Sequence, residues 1–210
     1  MNRRLFLSAL PAQAAALLAA SGTLSATAAA KPGKVDINAI LDDPNAPVGG
    51  NPDGNVPIVA FLDYNCPYCR KTAPDLRRFV ATDGKIRLIY KDWPILAPSS
   101  LYGAKLALAA KYQSKYEAAH DGMMAMRGHD DAGMAAAVKG AGVDMAQLDK
   151  DLGAHSEAIG DLIGRNKAQA DSLGLRGTPV YLIGPYLVAS PLDFAGFAEV
   201  VAKFRERIGK

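Results

Sequence analysis

Runs of apolar residues predict four β-strands along the chain. The clearest, Val56 to Leu62, is continuously apolar and rich in strand-forming residues, so it predicts a buried strand. Ile86 to Lys91 alternates apolar and polar residues and predicts the next strand. Val180 to Ile183 and Tyr186 to Val188 are separated by a Gly-Pro pair, and this arrangement predicts a hairpin.

Two helices are predicted beside these strands. Pro67 is favoured at the first position of a helix, and the residues from there to Val80 place apolar side chains on one face. The second helix follows the hairpin. Ser190 is expected to be its N-cap, Pro191 to occupy its first position, and Asp193 to be an acidic residue of its first turn. We expect this helix to run to about Ile208.

A long helical region is predicted between the second strand and the hairpin. Its more than eighty residues are dominated by Ala, Lys, Met and Leu, which is far more chain than one crossover helix requires. Helix starts are indicated at Ser99, Asp144 and Ser156, and breaks at Gly128, Gly140-Ala141-Gly142 and Gly153.

The first thirty residues have the pattern of a secretory signal peptide. Arg3 and Arg4 form a positive start, an Ala-rich apolar stretch follows, and Ala28-Ala29-Ala30 supplies small residues for cleavage. Arg3 to Leu7 also resembles a twin-arginine export signal, and this route and ordinary secretion both stay open. Residues 31–55 are expected to form a lead-in, with a short helix at Asp36 to Leu41 and then a Pro/Gly-rich segment.

The composition is that of an ordinary folded protein. Half of the 210 residues are apolar and 21% are charged. The net charge is +3, and removal of the signal peptide with its two arginines leaves +1. This balance argues against nucleic acid as a partner.

The chain has just two cysteines, Cys66 and Cys69. A disulfide between them would close a loop too short to stabilise the fold much, so a purely structural bridge is a poor explanation. A metal site would need two more ligands, and none of the three histidines has ligand spacing to the pair, so we predict no metal. Cys66 is expected at the start of a helix, where backbone N–H groups and the helix dipole stabilise a thiolate facing solvent. Cys69, one turn further on, is expected to be less exposed and to react second.

Other residues whose side chains could bind a metal or take part in catalysis receive simpler interpretations. Met123-Met124-Ala125-Met126 is expected to pack in a helix core or to face substrate. His120, His129 and Lys139 are expected to be solvated positions on helices.

Four segments resemble the DsbA-like branch of the thioredoxin-fold proteins. Asp63-Tyr64-Asn65-Cys66-Pro67-Tyr68-Cys69 is similar to the active-site segment of that family, and Asn51-Pro52-Asp53-Gly54 to its lead-in. Pro74 falls where such active-site helices carry a kinking proline. Arg176-Gly177-Thr178-Pro179-Val180 resembles the loop whose proline is cis and lies against the disulfide.

The resemblance implies an α/β, thioredoxin-like fold with an inserted helical subdomain. The signal peptide would be residues 1–30 and the lead-in residues 31–55. Residues 56–97 and 175–210 would form the two parts of the thioredoxin core, and residues 98–174 the inserted helices.

The resemblance also implies a function. The protein would be an exported, periplasmic thiol:disulfide oxidoreductase with Cys66 and Cys69 as catalytic residues and no cofactor, acting as a disulfide donor to unfolded or partly folded exported proteins. Pro67, Tyr68, Thr178 and Pro179 would support the active site, and the Thr178 backbone would pair with extended substrate. A membrane protein similar to DsbB would reoxidise the pair.

Two alternatives stay open from the sequence. The first is a disulfide isomerase or reductase that a membrane partner similar to DsbD keeps reduced. The second, of another class, is a periplasmic metal-binding or holdase protein.

Two residues depart from the family pattern. Tyr68 stands where the strongest oxidants of the family often carry His, which predicts a milder potential. Ala60 stands where many relatives place a buried Glu that handles the proton of the second cysteine. Asp63, Lys91 and Asp92 are the candidates for that role.

Overall fold

A five-stranded mixed sheet lies at the centre of the protein in the computed structural model, which describes residues 35–128 and 130–209. The strand order is β1-β3-β2-β4-β5. Only β2 and β3 run parallel, and the other neighbouring strands are antiparallel. The strands are β1 (Val48–Gly50), β2 (Val56–Leu62), β3 (Ile86–Asp92), β4 (Val180–Ile183) and β5 (Tyr186–Val188).

The central strand β2 is apolar throughout because both of its faces are covered. Ile58 and Ala60 face one hydrophobic cluster, which contains both cysteines. Val59 and Phe61 face a second cluster on the opposite side of the sheet, with Trp93. Side chains alternate between the faces of a strand, so every second residue of β2 supports the cysteine side.

Helices cover the two faces of the sheet and form most of the chain between β3 and β4. A 3₁₀ turn, Lys111–Gln113, follows α3. In the described part of the chain the helices are α1 (Ile37–Leu41), α2 (Pro67–Asp83), α3 (Pro98–Ala110), α4 (Tyr116–Ala125), α5 (Asp131–Gly140), α6 (Met145–Ala154), α7 (Ser156–Ser172) and α8 (Phe194–Ile208).

The four predicted strands are confirmed. Three of them, β2, β4 and β5, have the predicted bounds, and β3 continues to Asp92. The short helix of the lead-in is also confirmed, with Asp36 capping α1. The signal peptide and His129 lie outside the described residues, and the proposed domain boundaries stay a prediction.

The Pro/Gly-rich part of the lead-in holds a strand that the sequence analysis missed. Val48 pairs with Ile89 at the edge of the sheet, antiparallel to β3. Gly50 has a positive φ, and a side chain there would collide with the backbone carbonyl oxygen of Ile86, so this strand needs a glycine at its end. Strand β1 has only three residues, and two of them are glycines, so it shows no alternation of apolar and polar residues. Its extended conformation depends on pairing with β3.

The predicted start of the last helix is wrong. Asp193, not Ser190, is the N-cap, and its carboxylate accepts a hydrogen bond from the Gly196 N–H at 2.8 Å. Pro191 therefore lies before α8 rather than at its first position. A charged carboxylate at the cap also interacts favourably with the helix dipole.

The prediction of a solvated His120 is also wrong. His120 is 3% exposed, and its Nδ1 lies 3.0 Å from the hydroxyl oxygen of Tyr64. Burial lowers the pKa of His120 to about 3, so the imidazole is neutral. Met123 and Met124 are buried on the same helix, as expected for core residues, and Lys139 is exposed.

Candidate active site

Cys66 stands at the junction between the central strand and α2. The chain leaves β2 at Leu62, turns through Asp63, and places Cys66 as the N-cap of α2 with Pro67 at the first helical position. The Cys66 sulfur accepts a hydrogen bond from the Cys69 N–H at 3.3 Å. A cysteine thus occupies the place where a Ser or Asp commonly satisfies a free helix N–H.

The Asp63 carboxylate fixes this turn in place. Its Oδ1 accepts hydrogen bonds from the Asn65 N–H and the Ser100 hydroxyl, both at 2.7 Å. Its Oδ2 accepts from the N–H groups of Ile95 at 2.8 Å and Leu96 at 3.1 Å. With both oxygens occupied, the Asp63 side chain anchors the turn that carries Cys66.

Several hydrogen bonds stabilise the ionised form of Cys66. The hydrogen bond from the Cys69 thiol lowers the pKa of Cys66 most, and burial acts in the opposite direction. Hydrogen bonds from Thr178 and from the backbone N–H groups of Cys69 and Tyr68 lower the pKa further. Together they lower the pKa of Cys66 to about 6. About nine-tenths of this thiol would be ionised at pH 7, as expected for a reactive cysteine at a helix N-terminus.

Cys69 has the opposite environment. It is 0% exposed, and burial together with its hydrogen bond to Cys66 raises the pKa of its thiol far above the usual value. Both cysteines are free thiols in this structure. The two sulfurs therefore differ strongly in acidity although only two residues separate them.

The loop before β4 closes over the cysteine pair. The Thr178–Pro179 peptide bond is cis, and the Thr178 carbonyl oxygen lies 3.1 Å from the Cys66 sulfur. This loop leaves Cys66 only 2% exposed, so the expectation that its side chain faces solvent is wrong.

An open groove of ≈ 490 Å³ runs along this loop. Tyr68, Thr178 and Pro179 line it together with Leu187 of the edge strand β5. Tyr68 is 58% exposed and Leu187 is 45% exposed. The structure thus brings all six predicted site residues, which include Cys66, Pro67 and Cys69, to one end of α2.

Lys91 and Asp92 do not join this site. The Lys91 side chain is fully buried in an ion pair with Asp43, with 3.8 Å between Nζ and Oδ2. The Asp92 carboxylate accepts a hydrogen bond from the Tyr116 hydroxyl at 2.9 Å, and burial raises the pKa of Asp92 to about 7.

Two residues near the pair were missed by the sequence analysis. Tyr181 on β4 pairs in register with Ala60, and its hydroxyl lies 2.8 Å from the Thr72 hydroxyl oxygen on α2. Helical spacing from Cys69 to Thr72 was the available signal, but the partner 109 residues away was not visible in the sequence.

Among residues 35–128 and 130–209, no group of three or more His, Cys, Asp or Glu side chains could hold a metal ion. In the same part of the chain, no helix is long and apolar enough to cross a membrane.

The family model described as Thioredoxin matches residues 42–203. A thioredoxin-like oxidoreductase from Silicibacter pomeroyi is 37% identical, with a TM-score of 0.77 over 81% of this chain and 98% of that one. The thiol-disulfide exchange protein alpha-DsbA2 from Wolbachia pipientis is 29% identical, with a TM-score of 0.75 over 80% of this chain and 91% of that one. A periplasmic thioredoxin-like protein from Salmonella enterica serovar Typhimurium is 27% identical, with a TM-score of 0.68 over 80% of this chain and 94% of that one.

Curated relatives are much longer than this chain. The Na(+)/H(+) antiporter NhaA 3 of Salinispora tropica is 28% identical in an alignment 185 residues long, which covers 82% of this chain and 28% of the antiporter. The chain therefore spans about a quarter of the length of the curated relatives that it matches. The match to the thioredoxin model and the geometry of the cysteine pair agree: the chain belongs to the thioredoxin family and has the α/β thioredoxin-like fold of the DsbA-like thiol-disulfide oxidoreductases.

Proposed function

We propose that the protein is a periplasmic oxidoreductase that donates disulfides to exported proteins through Cys66 and Cys69. The observation that carries this proposal is the pair of unequal thiols, one at a helix N-terminus with a pKa of about 6 and one fully buried. A stabilised thiolate favours the reduced form of the pair, which makes its disulfide more oxidising.

The exchange proceeds in two steps. A substrate thiolate attacks the Cys66 sulfur of the Cys66–Cys69 disulfide, a mixed disulfide forms, and Cys69 leaves as a thiolate. The thiolate of a second substrate cysteine then attacks the first substrate sulfur, which is bonded to Cys66 in the mixed disulfide. A substrate disulfide forms and Cys66 leaves as a thiolate. The substrate loses two electrons and the pair gains them, and a membrane partner similar to DsbB would accept them in turn.

The groove beside Thr178 supports unfolded proteins as substrates. Its wall is largely apolar, with exposed side chains of Tyr68 and Leu187, and it lies along the edge strand β5. An extended chain bound there would place its cysteine next to Cys66. Apolar side chains exposed in an unfolded protein would then contact the groove.

A reductase or isomerase role is the second candidate, and the acidity of Cys66 is what favours it. A pKa of about 6 lies nearer to the value of about 7 for thioredoxin than to about 3.5 for DsbA. Tyr68 supplies no cation beside the thiolate. A membrane partner similar to DsbD would keep the pair reduced in this case.

Thiol trapping in intact cells separates the two roles. An alkylating reagent added before lysis would leave most of Cys66 and Cys69 unmodified if the pair is held as a disulfide, which supports the oxidase role. Modification of both cysteines in most molecules would overturn it in favour of the reductase or isomerase. Cell fractionation of the same samples tests export, since the proposal requires the protein in the periplasmic fraction.

Exchange activity itself is tested with purified protein. The wild type is expected to oxidise reduced ribonuclease, and Cys66→Ala is expected to abolish this activity. The matched control is Lys139→Ala, which changes an exposed residue outside the cysteine pair and the groove. Wild-type activity in Cys66→Ala would contradict the proposal.

A further inference from the structure

The groove beside Cys66 contains a single charged side chain. Arg176 lies in the loop between α7 and β4, two residues before Thr178, and lines the same groove as Tyr68 and Leu187. Arg176 is exposed, and every other described residue that lines this groove is uncharged. A guanidinium keeps its charge at any physiological pH. The groove therefore presents a permanent positive charge close to the reactive sulfur.

This charge has no partner in the described part of the chain, where Arg176 makes no hydrogen bond and no ion pair. The acidic residues that flank the two walls of the groove in sequence are engaged elsewhere. The Asp171 carboxylate accepts a hydrogen bond from the Lys167 ammonium at 2.6 Å. The Asp193 carboxylate caps α8 and accepts a hydrogen bond from the Gly196 N–H at 2.8 Å. The guanidinium is thus available to a ligand in the groove.

The loop that carries Arg176 is held at both ends. The Leu175 N–H donates a hydrogen bond to the Ala170 carbonyl oxygen at 3.0 Å, and Leu175 is buried in the hydrophobic cluster on the far side of the sheet. At the other end, Val180 begins β4 and pairs with Phe61 of the central strand. The backbone of Arg176 is therefore held in a defined place relative to the cysteine pair.

The position of Arg176 along the loop indicates which substrate residues would meet the charge. Thr178 lies against the cysteine pair, with 3.1 Å between its carbonyl oxygen and the Cys66 sulfur. Arg176 lies two residues away from Thr178, and two residues span at most about 7 Å of chain. An extended substrate advances about 3.3 Å per residue. With its cysteine at Cys66, such a substrate would bring residues about two to four positions from that cysteine near the guanidinium.

We propose that Arg176 determines substrate specificity by pairing with a carboxylate about two to four residues from the substrate cysteine. This inference rests on the proposed exchange at Cys66 and names the substrate class for it: extended segments that combine a cysteine, apolar residues and a nearby Asp or Glu. The apolar residues contact Tyr68 and Leu187, and the carboxylate accepts two parallel hydrogen bonds from the guanidinium. A substrate with Lys or Arg at the same position is disfavoured by repulsion.

Peptides with one cysteine, activated as an uncharged pyridyl disulfide, test this preference. The Cys66 thiolate of the reduced wild-type protein attacks the peptide sulfur, a mixed disulfide forms, and pyridine-2-thione leaves with the electron pair of the broken bond. The absorbance of pyridine-2-thione gives the rate of this step. Each rate is divided by the rate of the same peptide with 2-mercaptoethanol, which removes differences in the intrinsic reactivity of the peptides.

The peptides differ in the place and sign of one charge. Three of them carry Asp, Asn or Lys about two to four residues from the cysteine, and each is made with that residue before and after the cysteine. A fourth peptide carries the Asp about ten residues away, beyond the screening length of ordinary buffers. It has the same net charge as the first peptide, so it separates a local ion pair from attraction by the whole molecule.

The wild type is expected to react about fivefold or more faster with the nearby Asp than with Lys on at least one side of the cysteine, because attraction and repulsion each change the rate severalfold. The distant Asp is expected to behave like Asn. Raising the salt concentration from about 0.01 M to about 1 M should reduce the preference, since an exposed pair is screened.

Arg176→Gln is expected to bring the ratio of the Asp and Lys rates to within about twofold, and Arg176→Glu to reverse it. Changes in the reactivity of the thiolate cancel in this ratio, because both rates come from the same protein. The matched control is Arg207→Glu, which makes the same charge change at an exposed residue in the last turn of α8, outside the groove. It is expected to retain the wild-type ratio.

Three results would overturn the assigned specificity. They are equal rates for the nearby Asp, Asn and Lys peptides in the wild type, an equal advantage for the distant Asp, and a preference for Asp that persists in Arg176→Glu. A wild-type protein that releases pyridine-2-thione from none of the peptides would instead reject the proposed exchange at Cys66, so the two failures are distinguishable.

Discussion

Replacement of Cys69 by alanine should make Cys66 less acidic. The hydrogen bond from the Cys69 thiol is the largest of the contributions that lower the pKa of Cys66 to about 6. A hydrogen bond to a charged group contributes about 1.5–3 kcal/mol. One pKa unit corresponds to about 1.4 kcal/mol, so we expect the pKa to rise by about 1–2 units, to about 7–8.

The shift does not reach the value of an ordinary thiol because other donors remain. The backbone N–H of residue 69 still points at the Cys66 sulfur, 3.3 Å away in the wild type, and the backbone N–H of Tyr68 also remains. At pH 6 the ionised fraction of Cys66 falls from about one half to between about a tenth and a hundredth. Alkylation of Cys66 at that pH should therefore slow about 5- to 50-fold.

The assay is the rate of iodoacetamide modification of Cys66 over a series of pH values, read by mass spectrometry. Cys69→Ser is the matched control, since its hydroxyl retains a hydrogen-bond donor and should shift the midpoint by less than about one unit. An unchanged midpoint in Cys69→Ala would refute the assigned cause, as would equal shifts in the two variants.

Three predictions concern the stability of the framework. Asp63→Ala removes the acceptor of four hydrogen bonds and should lower the free energy of unfolding by about 2–4 kcal/mol in urea titrations; a loss well below about 1 kcal/mol would refute the anchoring role. Burial lowers the pKa of His120 to about 3, against about 6.5 in an unfolded chain. The unfolded state thus binds more protons between these values, and the free energy of unfolding should fall by up to about 1.4 kcal/mol per unit as pH drops from about 6 to 4. His120→Gln should remove this contribution, and an unaltered pH slope would contradict it. Gly84 and Gly184 both have positive φ, but only at Gly184 would a Cβ collide with the ring of Phe204. Gly84→Ala should cost about 1 kcal/mol and Gly184→Ala clearly more, and equal losses in thermal melts would refute the collision.

The parts of the site that depend on neighbouring residues were predictable from the sequence. The apolar run of β2, the proline at the first position of α2 and the strand after Pro179 are local signals, and each predicted element is present. Cys66 at the helix start follows from the same signals. Its acidity was expected because helix N–H groups are always available at that position.

The parts that depend on distant residues were not predictable. His120 looks like a surface residue until Tyr64, 56 residues earlier, supplies its buried partner. The hydroxyl pair of Thr72 and Tyr181 joins α2 to β4 across the core. The cover over Cys66 likewise comes from Thr178, 112 residues away. A single sequence shows which groups need a partner but not which partner the fold brings to them.

The central claim is that the Cys66 thiol ionises far more readily than an ordinary cysteine. The most direct test is the ultraviolet absorbance of its thiolate in the reduced wild-type protein as pH is raised, with Cys66→Ala as the blank. The structure predicts a single transition with a midpoint near pH 6. A midpoint near the value of about 8.5 for a free cysteine would contradict the account.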